Sequence, residues 1–295
     1  MRVLVAGSSG FLGQHLTGEL RAEGHDVVRL VRRATTAVDE SSWDPYAGRL
    51  DPEAVESCDV VVNLAGAPTA GNPHSGRWAR ELRESRVTTT RVLAEAIAAS
   101  SRKPAFLAGN GISYYGDHGA EVVTETADSR GDALLTQVAR EWQVATEPAE
   151  GAGARVCVLR TAPVLDKGAP PLKQMDLPFR LGLGARLGDG HQSFPSISLR
   201  DWIGAVVFLA GSDAAGAFNL CCPVTPTNAE FTDALAAAVG RKARLAVPAI
   251  VLRPAAGAMA NELLGSINAR PAALEAAGYD FHDRDIAAVL ASGLR

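Results

Sequence analysis

The chain opens with Arg2-Val3-Leu4-Val5-Ala6-Gly7-Ser8-Ser9-Gly10-Phe11-Leu12-Gly13, an apolar run that passes directly into glycines spaced as GxxGxxG. An amphipathic segment of helical length follows, so the stretch indicates a strand, a tight turn and a helix. Glycine is needed there because Cβ atoms would block the turn, the approach of a pyrophosphate and close helix–strand packing. Backbone N–H groups at the helix start then face the anion. The pattern predicts a dinucleotide-binding turn, the alternative being an ordinary glycine-rich connection. The predicted cofactor contacts in it are Gly7, Ser9, Gly10, Phe11, Leu12 and Gly13.

The same alternation of strand-length and helix-length segments continues to about residue 222, which is typical of βαβ units and a parallel sheet. We therefore predict an α/β fold, a doubly wound parallel sheet of the NAD(P)-binding Rossmann type, with a small, mainly helical C-terminal lobe. Strands are expected near residues 2–6, 26–31, 59–64, 105–108, 155–159 and 217–220, and helices near 11–23, 77–100, 132–150, 172–183 and 200–210. Helices at 228–239, 249–259, 271–277 and 283–291 are expected to build the lobe. The predicted domains are 1–165 plus 200–222 for the dinucleotide and 166–199 plus 223–295 for the substrate.

Composition excludes several classes of protein. The 295 residues include 29 Lys and Arg against 33 Asp and Glu, and the basic residues are scattered, so no nucleic-acid groove is expected. No uncharged apolar run has the length of about 18 residues that a membrane helix needs. The four cysteines lack metal-ligand spacing and lie on or beside apolar runs, so we expect buried thiols in a reducing cytoplasm and no metal site. The expected partner is a small-molecule substrate, and the sequence leaves a homodimer open.

Two arginines end the second predicted strand. NAD-selective folds place an acid about 20 residues past the glycines, where it holds the ribose 2′-OH. This chain has Arg32 and Arg33 there instead, and guanidinium groups suit a 2′-phosphate. The sequence therefore predicts NADP(H) rather than NAD, the alternative being a solvated strand end.

A family resemblance enters with Asn63-Leu64-Ala65-Gly66, which ends the third predicted strand. Together with the glycine turn, it resembles the extended and atypical short-chain dehydrogenase/reductases, in which such a turn lies along the adenine ribose. Within that group, the chain resembles the nucleoside-diphosphate-sugar epimerase-like family. The motifs that carry this resemblance occur in the same order as in the family: Trp43-Asp44-Pro45, Gly48-Arg49-Leu50, Arg77-Trp78, Ser85-Arg86, Tyr114-Tyr115-Gly116-Asp117 and Thr124-Glu125. Residues 247–281 resemble the small C-terminal domain of unknown function in that family.

The resemblance covers nearly the whole chain and implies an NADP-binding reductase or epimerase that acts on a small organic metabolite. It adds further residues to the predicted cofactor site: Asn63, Leu64, Ala65, Gly66, Arg86 and Pro163.

The residues expected to catalyse depart from the family. Redox members use a Ser or Thr near the end of their own fifth strand and a Tyr-x-x-x-Lys on the next helix. Here Asn110 takes the serine position, and neither Tyr nor Lys occurs between Gly131 and Gly151, so residues 138–142 fill about the place of the dyad. This degenerate site leaves open a non-redox reaction, such as cyclisation, dehydration or isomerisation, or a nucleotide sensor without turnover.

The candidates for chemistry are Asn110, Tyr114 and Tyr115. The amide of Asn110 can donate a hydrogen bond to a substrate carbonyl, although Asn-Gly is also a common turn dipeptide. Either phenol can act as an acid or a base, the alternative being that one ring packs in the core and the other caps a loop.

A segment rich in glycine and proline, residues 166–198, follows a strand at its carboxyl end. We predict that this segment and the C-terminal helices together form a mobile roof over the nicotinamide end of the cleft. Six apolar residues and the polar pair His191 and Gln192 would face the substrate. The alternative is a surface loop packed on the sheet edge. His118 and His191 are each expected on a solvated loop.

Overall fold

An eight-stranded sheet forms the centre of the protein, and the computed structural model describes every residue from Met1 to Arg295. The strands are β1 (Arg2–Ala6), β2 (Asp26–Val31), β3 (Glu40–Asp44), β4 (Arg49–Leu50), β5 (Val60–Asn63), β6 (Ala105–Gly111), β7 (Val122–Val123), β8 (Val156–Thr161), β9 (Val164–Leu165), β10 (Ala185–Leu187), β11 (Ile197–Ser198), β12 (Gly216–Leu220), β13 (Leu245–Val247) and β14 (Asn268–Ala269). The central sheet has the order β12-β8-β6-β5-β1-β2-β3-β4 and is parallel except for the β3–β4 pair. The strand order reverses between β1 and β5, and ligands of doubly wound folds bind at that reversal, beyond the carboxyl ends of the strands.

Twelve helices surround the sheet and form the C-terminal part. They are α1 (Phe11–Ala22), α2 (Pro52–Glu56), α3 (Gly76–Ala99), α4 (Leu134–Val144), α5 (Glu147–Gly151), α6 (Pro170–Arg180), α7 (Leu199–Gly211), α8 (Asn228–Ala238), α9 (Ala249–Ala256), α10 (Ala260–Leu264), α11 (Ala272–Ala276) and α12 (Ile286–Gly293). None of them is long and apolar enough to cross a bilayer.

The sheet is buried on both faces, which explains why its strands are almost continuously apolar. Successive side chains of β1 alternate between two cores, with Val3 and Val5 in one and Leu4 and Ala6 in the other. The first core also contains side chains of α1, α7 and α11, and the second contains side chains of α3 and α5. Helices therefore cover both sides of the parallel strands, as the doubly wound class requires.

The predicted fold class and the six predicted strands are confirmed, and the structure adds short elements that the sequence did not predict. The single helix expected over residues 132–150 is two helices, α4 and α5, because Pro148 is tolerated in the first turn of the second one but not inside the first. The sequence analysis also missed β3 and β4, whose polar residues do not show a strand pattern.

The C-terminal part is mainly helical, as predicted, but it also contains short strands. β13 pairs with β10, and β14 pairs with β7, so the final 50 or so residues are tied by backbone ladders to earlier segments. The predicted roof segment, residues 166–198, follows β9, contains α6 and β10, and ends with β11, which pairs with β9. The division into two domains stays a prediction.

Candidate functional site

The glycine turn between β1 and α1 has the shape that close backbone approach requires. Gly7 has a φ of +82°, and a Cβ there would lie 2.6 Å from the carbonyl carbon of Leu64. A Cβ at Gly13 would lie 2.1 Å from the carbonyl oxygen of Gly7, so only glycine lets α1 start this close to the strand. No side chain caps the N-terminus of α1, and its first turn contains no acidic residue. Its N–H groups and the positive end of its dipole are therefore available to an anion.

The turn after β5 lies beside the glycine turn and is shaped by Asn63. This side chain is fully buried: its amide nitrogen donates to Thr90 Oγ1 at 2.8 Å, and its oxygen accepts from Ala65 N at 3.0 Å. We therefore expect the Asn63 side chain to stabilise the turn and not to contact a cofactor directly. The remaining turn residues, Leu64 to Gly66, stay predicted contacts through their backbone.

Arg86 on α3 lies across this turn without any carboxylate partner. Its guanidinium donates to Ala67 O at 3.1 Å and to Thr69 Oγ1 at 3.0 Å. It also lies 5.2 Å from the centre of the Trp142 ring. Burial lowers the pKa of Arg86 to about 10, so the group is charged at neutral pH and its charge is unbalanced. A Cβ on Gly66 would lie 3.3 Å from the Arg86 side chain, a tight contact that a small movement of the arginine would relieve. Such a cation beside the crevice suits a phosphate or another anion.

The two arginines after β2 have different environments. Arg33 makes a bidentate ion pair with Glu40, at 2.7 and 2.9 Å, so its guanidinium is already engaged. Arg32 is exposed and takes part in none of the ion pairs or side-chain hydrogen bonds of the protein. The sequence-based expectation treated the two as equivalent, and the structure separates them. Pro163, the last predicted contact, is half-buried just after β8 at the same edge of the sheet.

Asn110 does not offer its amide to the crevice. Its side chain is buried, its nitrogen donates to Ala139 O at 3.1 Å, and its oxygen accepts from Gly111 N at 2.7 Å. The expected contact with a substrate carbonyl would leave a buried acceptor on α4 without its donor, which is costly. Asn110 therefore joins β6 to α4, and its amide hydrogen bonds are made within the protein.

Tyr115 belongs to the core, in contrast to its expected role. It is fully buried, its hydroxyl donates to Asn219 Oδ1 at 2.7 Å, and it accepts from Arg160 at 2.7 Å. Burial raises the pKa of Tyr115 to about 12, which makes it a poor acid or base at neutral pH. This phenol links β8 and β12. Tyr115 is therefore the ring that packs in the core, as the alternative interpretation of the sequence expected.

Tyr114, the other candidate, retains a free hydroxyl. Its ring is half-buried at the carboxyl end of β6, and its hydroxyl has no hydrogen-bond partner within the protein. The guanidinium carbon of Arg160 lies 3.7 Å from the ring centre, so a buried cation holds the ring in place. Ser113, which the sequence analysis did not single out, also keeps an unbonded hydroxyl beside Gly111. Polar groups available to a substrate at this strand end are therefore Tyr114 and Ser113.

Besides Ser113, two further side chains at this strand end were not among the predicted site residues. Arg160 is a charged residue inside the apolar strand β8, an irregularity that marks a buried polar network. Trp142 replaces one end of the expected dyad, and its indole N–H donates to Thr90 Oγ1 at 2.7 Å. The charge of Arg160 within an apolar strand is visible in the sequence. The role of Trp142 is not, because its hydrogen-bond partner, Thr90, lies 52 positions away.

The structure corrects two expectations, the solvent exposure of His118 and the substrate contact of Gln192 in the roof segment. His118 is buried, not solvated, because its backbone N–H donates to Ser266 O and its ring bonds to Asp128 O. Gln192 is also buried, and its amide nitrogen donates to the carbonyl oxygens of Leu187 and Leu263, so its N–H groups are already engaged within the protein. His191 is exposed, as expected. The mobility of the roof stays a prediction.

The C-terminal part contacts the segment that leads from β5 into α3. Ala258 N donates to Pro73 O at 3.2 Å, and the His74 ring bonds to Ala255 O at 3.3 Å. Gly257 has a φ of +50°, and a Cβ there would lie 2.8 Å from the His74 ring. The turn after α9 therefore closes against the segment that leads from β5 into α3.

A parallel doubly wound sheet, a three-glycine turn at its switch point and a second turn after β5 define a dinucleotide-binding protein of the short-chain dehydrogenase/reductase type. The chain matches the model of the NAD dependent epimerase/dehydratase family over residues 3–221 and that of a domain of unknown function, DUF1731, over residues 247–292. It belongs to the NAD dependent epimerase/dehydratase family. The predicted family and its C-terminal domain are confirmed.

Related proteins extend along nearly the full chain. An epimerase family protein of Mycobacterium tuberculosis is 42% identical over 290 residues, which cover 98% of this chain and 96% of that protein. The crystal structure of human epimerase family protein SDR39U1 with NADPH is 31% identical, with a TM-score of 0.85 and 98% coverage of both chains. A nucleoside-diphosphate sugar epimerase from Corynebacterium glutamicum is 30% identical, with a TM-score of 0.79, over 99% of this chain and 58% of that one.

Proposed function

We propose that the protein is an NADP(H)-dependent enzyme that reduces or epimerises a small organic metabolite in the crevice at the β1–β5 switch point. The observation that carries the proposal is the set of unneutralised positive groups along this crevice. The uncapped start of α1 offers N–H groups to the pyrophosphate, Arg86 lies beside the turn after β5, and Arg32 is free at the end of β2. The NADPH bound to human SDR39U1 supports the choice of this cofactor over NAD.

The cofactor would supply or accept a hydride, and residues of the chain would position the substrate and move its proton. We assign the proton to the phenol of Tyr114, because it has a free hydroxyl at the carboxyl end of β6. The hydroxyl of Ser113 would hydrogen-bond the reacting oxygen of the substrate, in place of the family's Ser or Thr. Arg160 fixes the ring of Tyr114 from below and takes no direct part.

A second function remains a candidate because of the groups that the site lacks. Asn110 and Tyr115 use their polar atoms inside the protein, and α4 contains no tyrosine or lysine. A protein that binds NADP(H) and turns over slowly, or not at all, would have this arrangement. Single-turnover measurements of NADPH oxidation with a panel of carbonyl compounds separate an enzyme from a nucleotide sensor.

We expect Arg32→Ala to weaken NADPH binding while NADH binding changes little. Loss of a hydrogen bond between charged groups costs about 1.5–3 kcal/mol, and only NADPH has the 2′-phosphate that makes it. Isothermal titration calorimetry with both nucleotides checks the prediction. Arg49→Ala is the matched control, since that exposed arginine pairs with Asp44 on the outermost pair of strands. Equal losses for NADPH and NADH in Arg32→Ala would refute the assignment.

Reduction of generic ketones is expected to be slow. Positioned acid–base catalysis contributes roughly 10²–10⁴-fold, and one phenol without its lysine retains only part of that factor. Tyr114→Phe should remove the remainder and leave NADPH binding intact, whereas Tyr46→Phe, on an exposed ring, should change neither. Stopped-flow absorbance of NADPH gives the rates. Fast ketone reduction by wild type, or an unchanged rate in Tyr114→Phe, would contradict the assignment.

A further inference from the structure

Glu40, the first residue of β3, is bonded to the connection that carries the arginine pair. Its carboxylate accepts two hydrogen bonds from Arg33, at 2.7 and 2.9 Å, and a third from the backbone N–H of Thr36 at 3.0 Å. Arg29, its partner in the β2–β3 register, approaches the same carboxylate at 3.0 Å. One acid therefore joins the end of β2, the connection after it and the start of β3.

The charge of this acid is enclosed and balanced. The Glu40 side chain is 1% exposed, and two guanidinium groups contact it. The hydrogen bonds from Arg33 lower the pKa of Glu40 to about 2, so the carboxylate is ionised at every working pH. An acid near the adenosine ribose would ordinarily repel a 2′-phosphate, but this one is turned inward and neutralised.

The same contacts occupy Arg33. One of its terminal nitrogens donates to Ala34 O, Thr36 Oγ1 and Glu40, and the other donates to Glu40. The carbonyl oxygen of Arg33 accepts from Ser42 Oγ at 3.0 Å. Arg33 thus braces the connection internally, and Arg32, which immediately precedes it, has a free guanidinium.

We propose that Glu40 is a positioning residue for nucleotide selectivity. It holds Arg33 and Thr36 so that the connection has one form and Arg32 alone meets the 2′-phosphate. The inference rests on the proposed binding of NADP(H) and goes beyond it by assigning opposite roles to two adjacent arginines. Preorganisation of this kind raises affinity because the loop is already ordered before the nucleotide arrives.

The competing assignment, in which Arg33 itself binds the phosphate, predicts the opposite sign. Glu40 would then compete with the nucleotide for the guanidinium, and Glu40→Gln would release Arg33 and strengthen NADPH binding. If Glu40 instead holds the connection in the form that binds the nucleotide, the same variant weakens NADPH binding. The sign of the change therefore separates the two roles.

The experiment measures dissociation constants of NADPH and NADH by calorimetry for wild type, Glu40→Gln, Arg33→Ala and the double variant. Because both single variants break one contact, each should weaken NADPH by about threefold to tenfold, with NADH changed less than about twofold and the double variant no weaker than either single one. Arg33→Ala tests the same contact from its other side if Glu40→Gln folds poorly. The NADPH-to-NADH ratio is a readout that a general loss of structure would not change.

Stronger NADPH binding by Glu40→Gln, additive losses in the double variant, or equal losses for the two nucleotides would overturn the inference. So would an Arg33→Ala loss as large as that of Arg32→Ala. Failure of the proposed function is visible separately, as a wild-type protein that does not prefer NADPH over NADH. A wild type that prefers NADPH, together with unchanged affinities in both single variants, contradicts only the role of Glu40.

Discussion

Asp201→Ala is expected to destabilise the protein by about 3–5 kcal/mol, because several buried donors converge on this one carboxylate. Asp201 is fully buried at the start of α7. Its oxygens accept from the backbone N–H groups of His282 and Asp283 at 3.0 and 2.7 Å and from the hydroxyl of Tyr279 at 3.0 Å. These contacts attach the C-terminal segment to the Rossmann core, and alanine would leave the donors unpaired.

Urea unfolding followed by circular dichroism measures this loss, with Asp213→Ala as the control. Asp213 is exposed just after α7 and forms no side-chain hydrogen bond, so its replacement should change stability by less than about 0.5 kcal/mol. A loss below about 1 kcal/mol in Asp201→Ala would mean that water or neighbouring groups replace the carboxylate.

Gly13→Ala is the second large effect that we expect, on both stability and cofactor binding. The added Cβ would lie 2.1 Å from the carbonyl oxygen of Gly7 and 2.8 Å from the Cα of Ser8, and both neighbours are backbone atoms that cannot rotate away. Such overpacking costs about 1–3 kcal/mol or more and displaces the turn that faces the pyrophosphate. We therefore expect NADPH binding to fall by at least about tenfold, as a 1.4 kcal/mol loss implies.

Gly18→Ala is a matched control in the same helix. A Cβ at Gly18 would meet nothing within 4 Å, and the residue is exposed inside α1. Alanine there should stabilise the protein by about 0.5–1 kcal/mol because it is the better helix former. Thermal unfolding and NADPH calorimetry on both variants check the pair. Equal behaviour of the two would show that the turn tolerates a side chain and that its glycines are not selected by packing.

In our proposal the site has a cofactor edge, formed by the glycine turn, Arg86 and Arg32, and a catalytic edge at the end of β6. At the cofactor edge, no side chain caps α1, and neither Arg86 nor Arg32 has a carboxylate partner. At the catalytic edge, Asn110 and Trp142 are hydrogen-bonded to the protein itself, and only Tyr114 and Ser113 retain free hydroxyls. Binding of a nucleotide and weak acid–base chemistry are consistent with this division.

The sequence alone determined the parts of this protein that depend on near neighbours. The glycine spacing predicted the turn because Gly7, Gly10 and Gly13 act on one another over a few residues, and the turn follows from their missing side chains. Apolar runs predicted the parallel sheet, since strands buried on both faces leave a continuous local pattern. The prediction of a single helix over residues 132–150 was wrong in one respect, because the helix is interrupted before Pro148.

Only the tertiary structure decided what each polar side chain does. Tyr114 and Tyr115 are adjacent and chemically identical, but Asn219, 104 positions away from Tyr115, accepts the hydroxyl of one and leaves the other free. Arg32 and Arg33 also differ, because pairing of β3 with β2 brings Glu40, seven residues after Arg33, to only one of them. A side chain's role depends on which partner reaches it, and partners distant in sequence leave no trace in local spacing. The roles of the polar side chains at this site therefore depend on tertiary packing, whereas the fold could be predicted from the spacing of glycines and apolar runs.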